Sequence, residues 1–536
     1  MGSLKEWVQV RYIIVVIVFL SATLSIFARL DVNIGIAAMT PKTEGKNDNH
    51  TSEHCPLPQE EIEQEIKEDM KSVDATRLRD KVFNWNQTTQ GHILGSFFWS
   101  YIVFQMLSGY LAERFGGKWI VVACLFGSGL MTLIIPFAAE YVIIIILLRI
   151  LMGIVQSGLF SSLFGIICKW IPLRERSICF ALVDFGSFGG TILVFATSGL
   201  IDEAWGWPGL FFVPGVLCLV MSIIASLVVK SSAVECPFVT LNELNIINEE
   251  GDAANVTKMD SLDKETSRTN KEDDKANIET GPMNSDDGPN TLNVLKGIIL
   301  NKAVMSAAAF KMAHNWISTI LASKFPIYLK TILHQNTKNN GYINAIVALV
   351  SGVSLIATGY LSERIVEKGW FSSRTRVRKS FSFISGAFNG ICIMLIPAAG
   401  CHLPSLFAVL FFQAMASGFK GGSDAPLASE MSSNYPSLTY AVMNTVAMSA
   451  GFTAPAFAGL VLDNTKNSWN AWSYIFYASG ILMIIANSVF VVFAAAERQD
   501  FDYGSDEKPG DIALTDEKLK EFERRRSSRR DSVFAW

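Results

Sequence analysis

The run GYLAERFGGKW at Gly109–Trp119 returns as GYLSERIVEKGW at Gly359–Trp370. The copies start 250 residues apart (359 − 109) in a chain of 536 residues, and each closes an apolar stretch. A Gly–acid–base–Gly loop repeated at half-length demands a fold made of two like units. Half of the residues are hydrophobic and only 18% are charged, against about 25% charged in soluble domains. Mean hydropathy is +0.31, so lipid is the expected main solvent. A net charge of −4 argues against a nucleic-acid partner.

A bilayer core calls for about 20 mostly apolar residues per helix. Twelve such segments are legible: 11–38, 92–111, 118–138, 141–168, 176–200, 208–229, 303–329, 341–361, 379–399, 403–427, 438–462 and 470–496. The expected fold is an all-α membrane protein with two six-helix bundles related by pseudo-two-fold symmetry. The bundles should cover 11–229 and 303–496. A short terminus (1–10), a loop (40–90), a polar linker (230–302) and a basic tail (497–536) complete the chain. The linker is rich in Asp, Glu, Lys, Asn and Ser, a composition that favours disorder.

Short loops set the orientation. Lys and Arg gather after the second, fourth and eighth segments, at Arg114, Lys118, Lys169, Arg174, Arg176, Arg364, Lys368, Arg374, Arg376, Arg378 and Lys379. The loops between them are poor in both. Both termini are therefore expected in the cytoplasm, with 40–90 lumenal or extracellular. That loop carries the sequons at Asn49 and Asn86, expected glycosylation sites. Cys55 and Cys401 both fall on that side, where they could form a disulfide. The first apolar run lacks a cleavage site and reads as a signal anchor. Ser527, Ser528 and Ser532 follow Arg clusters and are candidate phosphorylation sites; an inert solvated tail is the alternative.

In the repeated loop, Gly109 and Gly116 allow close backbone approach. Glu113 can pair with Arg114 or face the positive end of a neighbouring helix. Gly359, Glu363 and Arg364 repeat the pattern. Such loops can latch one conformation of two rocking bundles; a solvated positive-inside loop would explain either copy alone.

These paired motifs resemble those of the major facilitator superfamily. Finer matches narrow the branch. They include SFFWSYIVFQMLSGYLAERFGGK (Ser96–Lys118), RILMGI (Arg149–Ile154), KWIPLRERS (Lys169–Ser177) and GWPGLFFVPG (Gly206–Gly215). HNW and FPIYLK (His314–Trp316, Phe325–Lys330), NNGYINAI (Asn339–Ile346) and VRKSFSFI (Val377–Ile384) follow in order. The membrane part is similar to the anion/cation symporter branch, solute carrier family 17, with sialin, vesicular glutamate transporters and sodium–phosphate cotransporters. The resemblance implies alternating-access transport of an organic or inorganic anion coupled to H+ or Na+, with no covalent chemistry and no bound cofactor. A plasma, lysosomal or vesicular membrane and a monomeric state fit it.

The chain departs from the branch at positions that matter. Its first helix reads ARLDVNIGIAAM, so Asp31 stands where the branch has Arg, and Arg29 lies two residues earlier. Two residues turn about 200° around a helix, which aims Arg29 elsewhere. Gln156 and Phe164 stand where proton-linked members carry Glu and His. Charges appear instead within apolar segments, where each costs roughly 2.5–3.5 kcal/mol on insertion scales. Asp31, Arg149, Asp184, Lys311, His314 and Lys420 are therefore the candidate substrate and coupling residues. The alternatives are an acid partner for Arg149, a structural ion pair for Asp184 with Lys311 or Lys420, and an interhelical hydrogen bond for His314. Asp424 and Glu430 could be solvated near the cytoplasmic end. Phe97, Trp99, Tyr101 and Trp316 read as packing or belt residues. The mixture of charges suits an anionic or zwitterionic solute. A transport-inactive sensor or scaffold, or a uniporter with an altered substrate, remain the other readings.

Overall fold

The computed structural model describes residues 9–39, 83, 85, 87–172, 175–230, 233, 236, 239, 291–333, 337–464 and 469–503. Every regular element among them is helical. The first bundle holds α1 (Val10–Met39), α2 (Gln87–Phe115), α3 (Gly117–Ile134), α4 (Val142–Gln156, resumed as Leu159–Trp170), α5 (Arg176–Trp205) and α6 (Gly209–Val228). The second holds α7 (Lys302–Ser323, resumed as Phe325–Thr331), α8 (Thr337–Glu367) and α9 (Arg374–Phe383, a π-helical turn at Ile384–Phe388, then Asn389–Leu395). It continues with α10 (Leu403–Gly418, resumed as Leu427–Met431), α11 (Pro436–Met448, resumed as Ala450–Asn464) and α12 (Trp469–Phe493).

Among the described residues, nine of these runs are long and apolar enough to cross a membrane on length and composition. α2, α7 and α9 fall short because they carry polar residues that face the protein interior, such as Gln105, His314 and Asn389, all buried. Helices suit lipid because every backbone group bonds within its own segment. Side chains finish the starts: Asn301 accepts from the Ala303 and Val304 N–H groups ahead of α7, and Ser373 does the same for Arg376 at α9. At both repeated loops the turn needs a left-handed residue, supplied by Gly116 (φ +81°) and Gly369 (φ +64°).

Small residues bring helices together, as expected where lipid offers no hydrophobic drive. Along α5, Gly186 and Gly190 let α1 in; a Cβ on Gly190 would stand 2.6 Å from the Thr23 carbonyl oxygen. The two bundles meet along two related seams, α2 against α11 and α5 against α8.

Two stretches read as linker and tail contain packed structure. The helix Thr291–Leu300 lies directly before α7, with Gly297 against Phe501. After α12, the strap 494–503 crosses the base of the second bundle. Asp502 is fully buried there; it accepts from Ser432 Oγ (2.7 Å) and the N–H groups of Ser433 and Asn434 (3.1 Å each), and pairs with Arg498.

Candidate functional site

The repeated loops sit at one end of both seams. Glu113 accepts from the Ser437 N–H (2.5 Å), at the first turn of α11. That is the positive end of a helix from the other bundle. Glu363 accepts from Ser177 Oγ, at the first turn of α5. The glycines follow the same rule. A Cβ on Gly359 would reach 2.9 Å from Ala181 Cβ, and Gly109 leaves no room for one against Ala441. Each motif thus grips the start of a helix in the opposite bundle. Arg114 and Arg364 play a lesser part, reaching Tyr110 and Tyr360 one turn back.

The two grips differ in chemistry. Behind Glu363, Arg378 lies only 1% exposed and reaches Glu363 and Glu430 at 2.6 Å each. It also donates to Ser362, Ser177 and the Gly422 carbonyl. Arg374 adds a contact to Glu430 at 3.3 Å. Arg378 and Glu430 are therefore not solvated loop charges: α8, α9 and α10 converge here and exclude water, so buried charges must be paired.

Deeper in the first bundle lies a cationic pair. Arg149 on α4 is fully buried, its guanidinium 5.0 Å from the Phe97 ring centre. Arg29 on α1 covers the same ring at 4.5 Å, with Phe98 at 4.6 Å and Tyr101 at 5.5 Å. Among the described residues neither arginine has a carboxylate partner. Arg29 and Asp31 have different surroundings, and α2 brings its aromatic face to Arg29 and Arg149 alike. Phe97 and Tyr101 are the floor of this pair. Trp99, about half exposed on the outer face, fits the belt role. A run of aromatic residues facing two interior arginines was the available signal.

A second charged group lies at the seam between bundles. Asp184 on α5 stands 3.9 Å from Lys420, in the 3-10 turn that interrupts α10. Asp424, 2% exposed, interacts with Lys311, Lys420 and Asp184; it is buried rather than solvated because α10 folds inward at this break. Lys311 on α7 lies 4.3 Å above the Tyr440 ring. Tyr440 stacks on Phe164 at 4.1 Å, and Phe164 stacks on Phe180 at 4.7 Å. This stack passes from one bundle to the other. Phe164, where proton-linked relatives are expected to carry His, is thus part of a closure.

His314 takes the interhelical role. It meets Ser385 at 3.1 Å and Asn389 at 3.5 Å, and Asn389 accepts from Gln413. Ser385 lies in the π-helical turn of α9, a feature frequent at functional sites. Asp31 stands apart: it is fully buried, and neither carboxylate oxygen has a hydrogen-bond partner among the described residues. Gln156 reaches the Ser25 carbonyl at 3.5 Å. Asn49, Asn86, Cys55, Ser527, Ser528 and Ser532 lie outside the described residues. Cys401 is disulfide-bonded.

The model of the Major Facilitator Superfamily matches residues 57–369, and the chain belongs to that family: a membrane carrier, not an enzyme. Within it, the chain is 22% identical to mouse "Sodium-dependent phosphate transport protein 3" over 92% of its length and 95% of the relative's. It is 24% identical to human "Sialin", over 92% and 90%. It is thus a divergent relative of the anion/cation symporter branch. The fold is also that of the proton:xylose symporter XylE bound to 6-bromo-6-deoxy-D-glucose. That match has a TM-score of 0.58 and 15% identity, and covers 91% of this chain and 97% of that one.

Proposed function

We propose that the protein is a secondary active carrier of a small organic or inorganic anion, working by alternating access and driven by a proton or sodium gradient. The observation that carries this reading is the Arg29–Arg149 pair on Phe97. Two buried guanidiniums without a carboxylate demand a counter-charge from elsewhere, and a bound anion supplies it. The described contacts close the motif-bearing end, so the anion would enter from the opposite side. The relatives' names, which include phosphate transport, agree in charge.

The orientation proposed is both termini in the cytoplasm, in a plasma, lysosomal or vesicular membrane. The Lys and Arg bias supports it. A disulfide at Cys401 fits an oxidising compartment on the side away from the motifs.

The test is uptake into proteoliposomes across labelled inorganic phosphate, dicarboxylates, acidic amino acids and organic cations. Saturable uptake of an anion is expected. Arg29→Gln and Arg149→Gln should each weaken it about 10- to 100-fold, the range of one charged hydrogen bond at about 1.5–3 kcal/mol. No uptake of any solute by folded protein would overturn the carrier reading in favour of a sensor or scaffold. Uptake of cations alone would overturn the anion site.

A further inference from the structure

We infer that Asp184 and Asp424, arranged about Lys420, form a proton-operated lock between the bundles, so that the coupling ion is H+ and it acts at the α5–α10 seam. The inference rests on the carrier reading above.

The geometry is asymmetric in a telling way. The motif contacts Ser177–Glu363 and Ser437–Glu113 show which positions of α5 and α11 correspond, with an offset of 260 residues (437 − 177). The same offset pairs Asp184 with Asn444. Asn444 donates to Tyr101 and to Gln105 at 3.3 Å each, and Gln105 donates to Ser161. At this level the α2–α11 seam is therefore closed by neutral hydrogen bonds, with the Glu113 contact lying nearer the motif-bearing end. On the other side the equivalent level carries a charge pair between α5 and α10, Asp184 with Lys420. At this level, among the described residues, the carboxylate stands on the Asp184 side alone.

The pair is incompletely satisfied. Asp184 Oδ2, Asp424 Oδ1 and Lys311 Nζ are buried without a hydrogen-bond partner. The charged and titratable groups around Asp184 are Lys420 and Asp424 from α10 and Tyr440 from α11, with Lys311 of α7 beyond Asp424 and His314 of α7 facing Lys420 and Lys311. α1 presents Ala22, Thr23 and Ile26 to this part of α5, and α8 presents Gly352 to Phe185. The four charges sum to zero when both acids are ionised.

Adding a proton to Asp184 removes the charge that α5 contributes to this cluster. Lys420 is then left to Asp424, which belongs to its own bundle, and the attraction across the seam is lost. The protonated cluster also carries one net positive charge, which an entering monoanion balances. A proton needs a single oxygen, whereas a sodium ion here would sit against two ammonium groups. The lock therefore selects H+.

The test uses the full chain in nanodiscs with spin labels at Trp119→Cys and Trp370→Cys, exposed positions in the two motif loops. Pulsed dipolar spectroscopy reads the distance between bundles without any substrate. Lowering the pH from 8 to 5 should increase the population of the wider separation several-fold. Asp184→Asn should show the wide population at both pH values, and Lys420→Met should lose the pH response. A pH response unchanged in both Asp184→Asn and Asp424→Asn overturns the lock, as does a wild type that ignores pH. If no solute is taken up while the pH response persists, the anion-carrier reading fails and the lock stands.

Discussion

At the scale of single residues, burial separates the charges that hold the protein together from those left to act. Arg378 holds Glu363 and Glu430 at 2.6 Å each. Removing one member of such a group is costly because the others stay buried and unpaired. Arg378→Gln should destabilise by about 3–5 kcal/mol. Pairing it with Glu363→Gln and Glu430→Gln should restore most of the melting temperature in detergent. If the single variant melts like the wild type, the cluster is not a dry ion network. Arg29 and Arg149 behave differently. They have aromatic rings in place of acids, so neutralising them should impair uptake more than folding. Among the described residues the Asp31 carboxylate has no hydrogen-bond partner. Its placement apart from the other candidates explains why a list drawn from charge alone could not rank them.

At the scale of elements, the helices are shaped by where they must touch. Five of the twelve segments read as single spans are interrupted or locally rewound, at Ser157–Gly158, Lys324, Ile384–Phe388, 419–426 and Ser449. Apolar runs flank each break, so each segment reads as one span, even where charged residues fall at Lys324 and within 419–426. The seams depend instead on close approach. Gly109 sits against Ala441, so Gly109→Ala should prop the motif-bearing end apart and lower uptake. Ala441→Gly in the same protein should restore it. Gly359→Ala with Ala181→Gly should behave alike, since that Cβ would stand 2.9 Å from its neighbour. Failure of both second-site changes to rescue would mean that closure of the seams does not depend on these glycine contacts.

At the scale of the whole molecule, the latch is tied to the far end of the chain. The strap after α12 holds the turn that leads into α11. Asp502 bonds Ser432, Ser433 and Asn434. Ser437, three residues on from Asn434, is where Glu113 grips the second bundle. Asp502→Ala should cost about 1–3 kcal/mol, as expected for stranded buried donors. Truncation after residue 493 should lower the melting temperature relative to truncation after residue 503. Equal melting of the two truncations would show that the strap contributes nothing.

The amino-acid sequence alone determined the duplication, the helical segments and the family resemblance. Those properties are written locally, in runs of apolar residues, in short charged loops and in a motif repeated at half-length. It also exposed which residues carry charge where charge is expensive. The tertiary structure alone decided their partners. It placed Arg29 beside Arg149, gave Lys420 to Asp184, folded Asp424 and Glu430 into the interior and engaged His314 in hydrogen bonds. Partners on different helices lie tens to hundreds of residues apart along the chain. Which faces meet depends on small-residue contacts and helix breaks that act only once the bundles are packed.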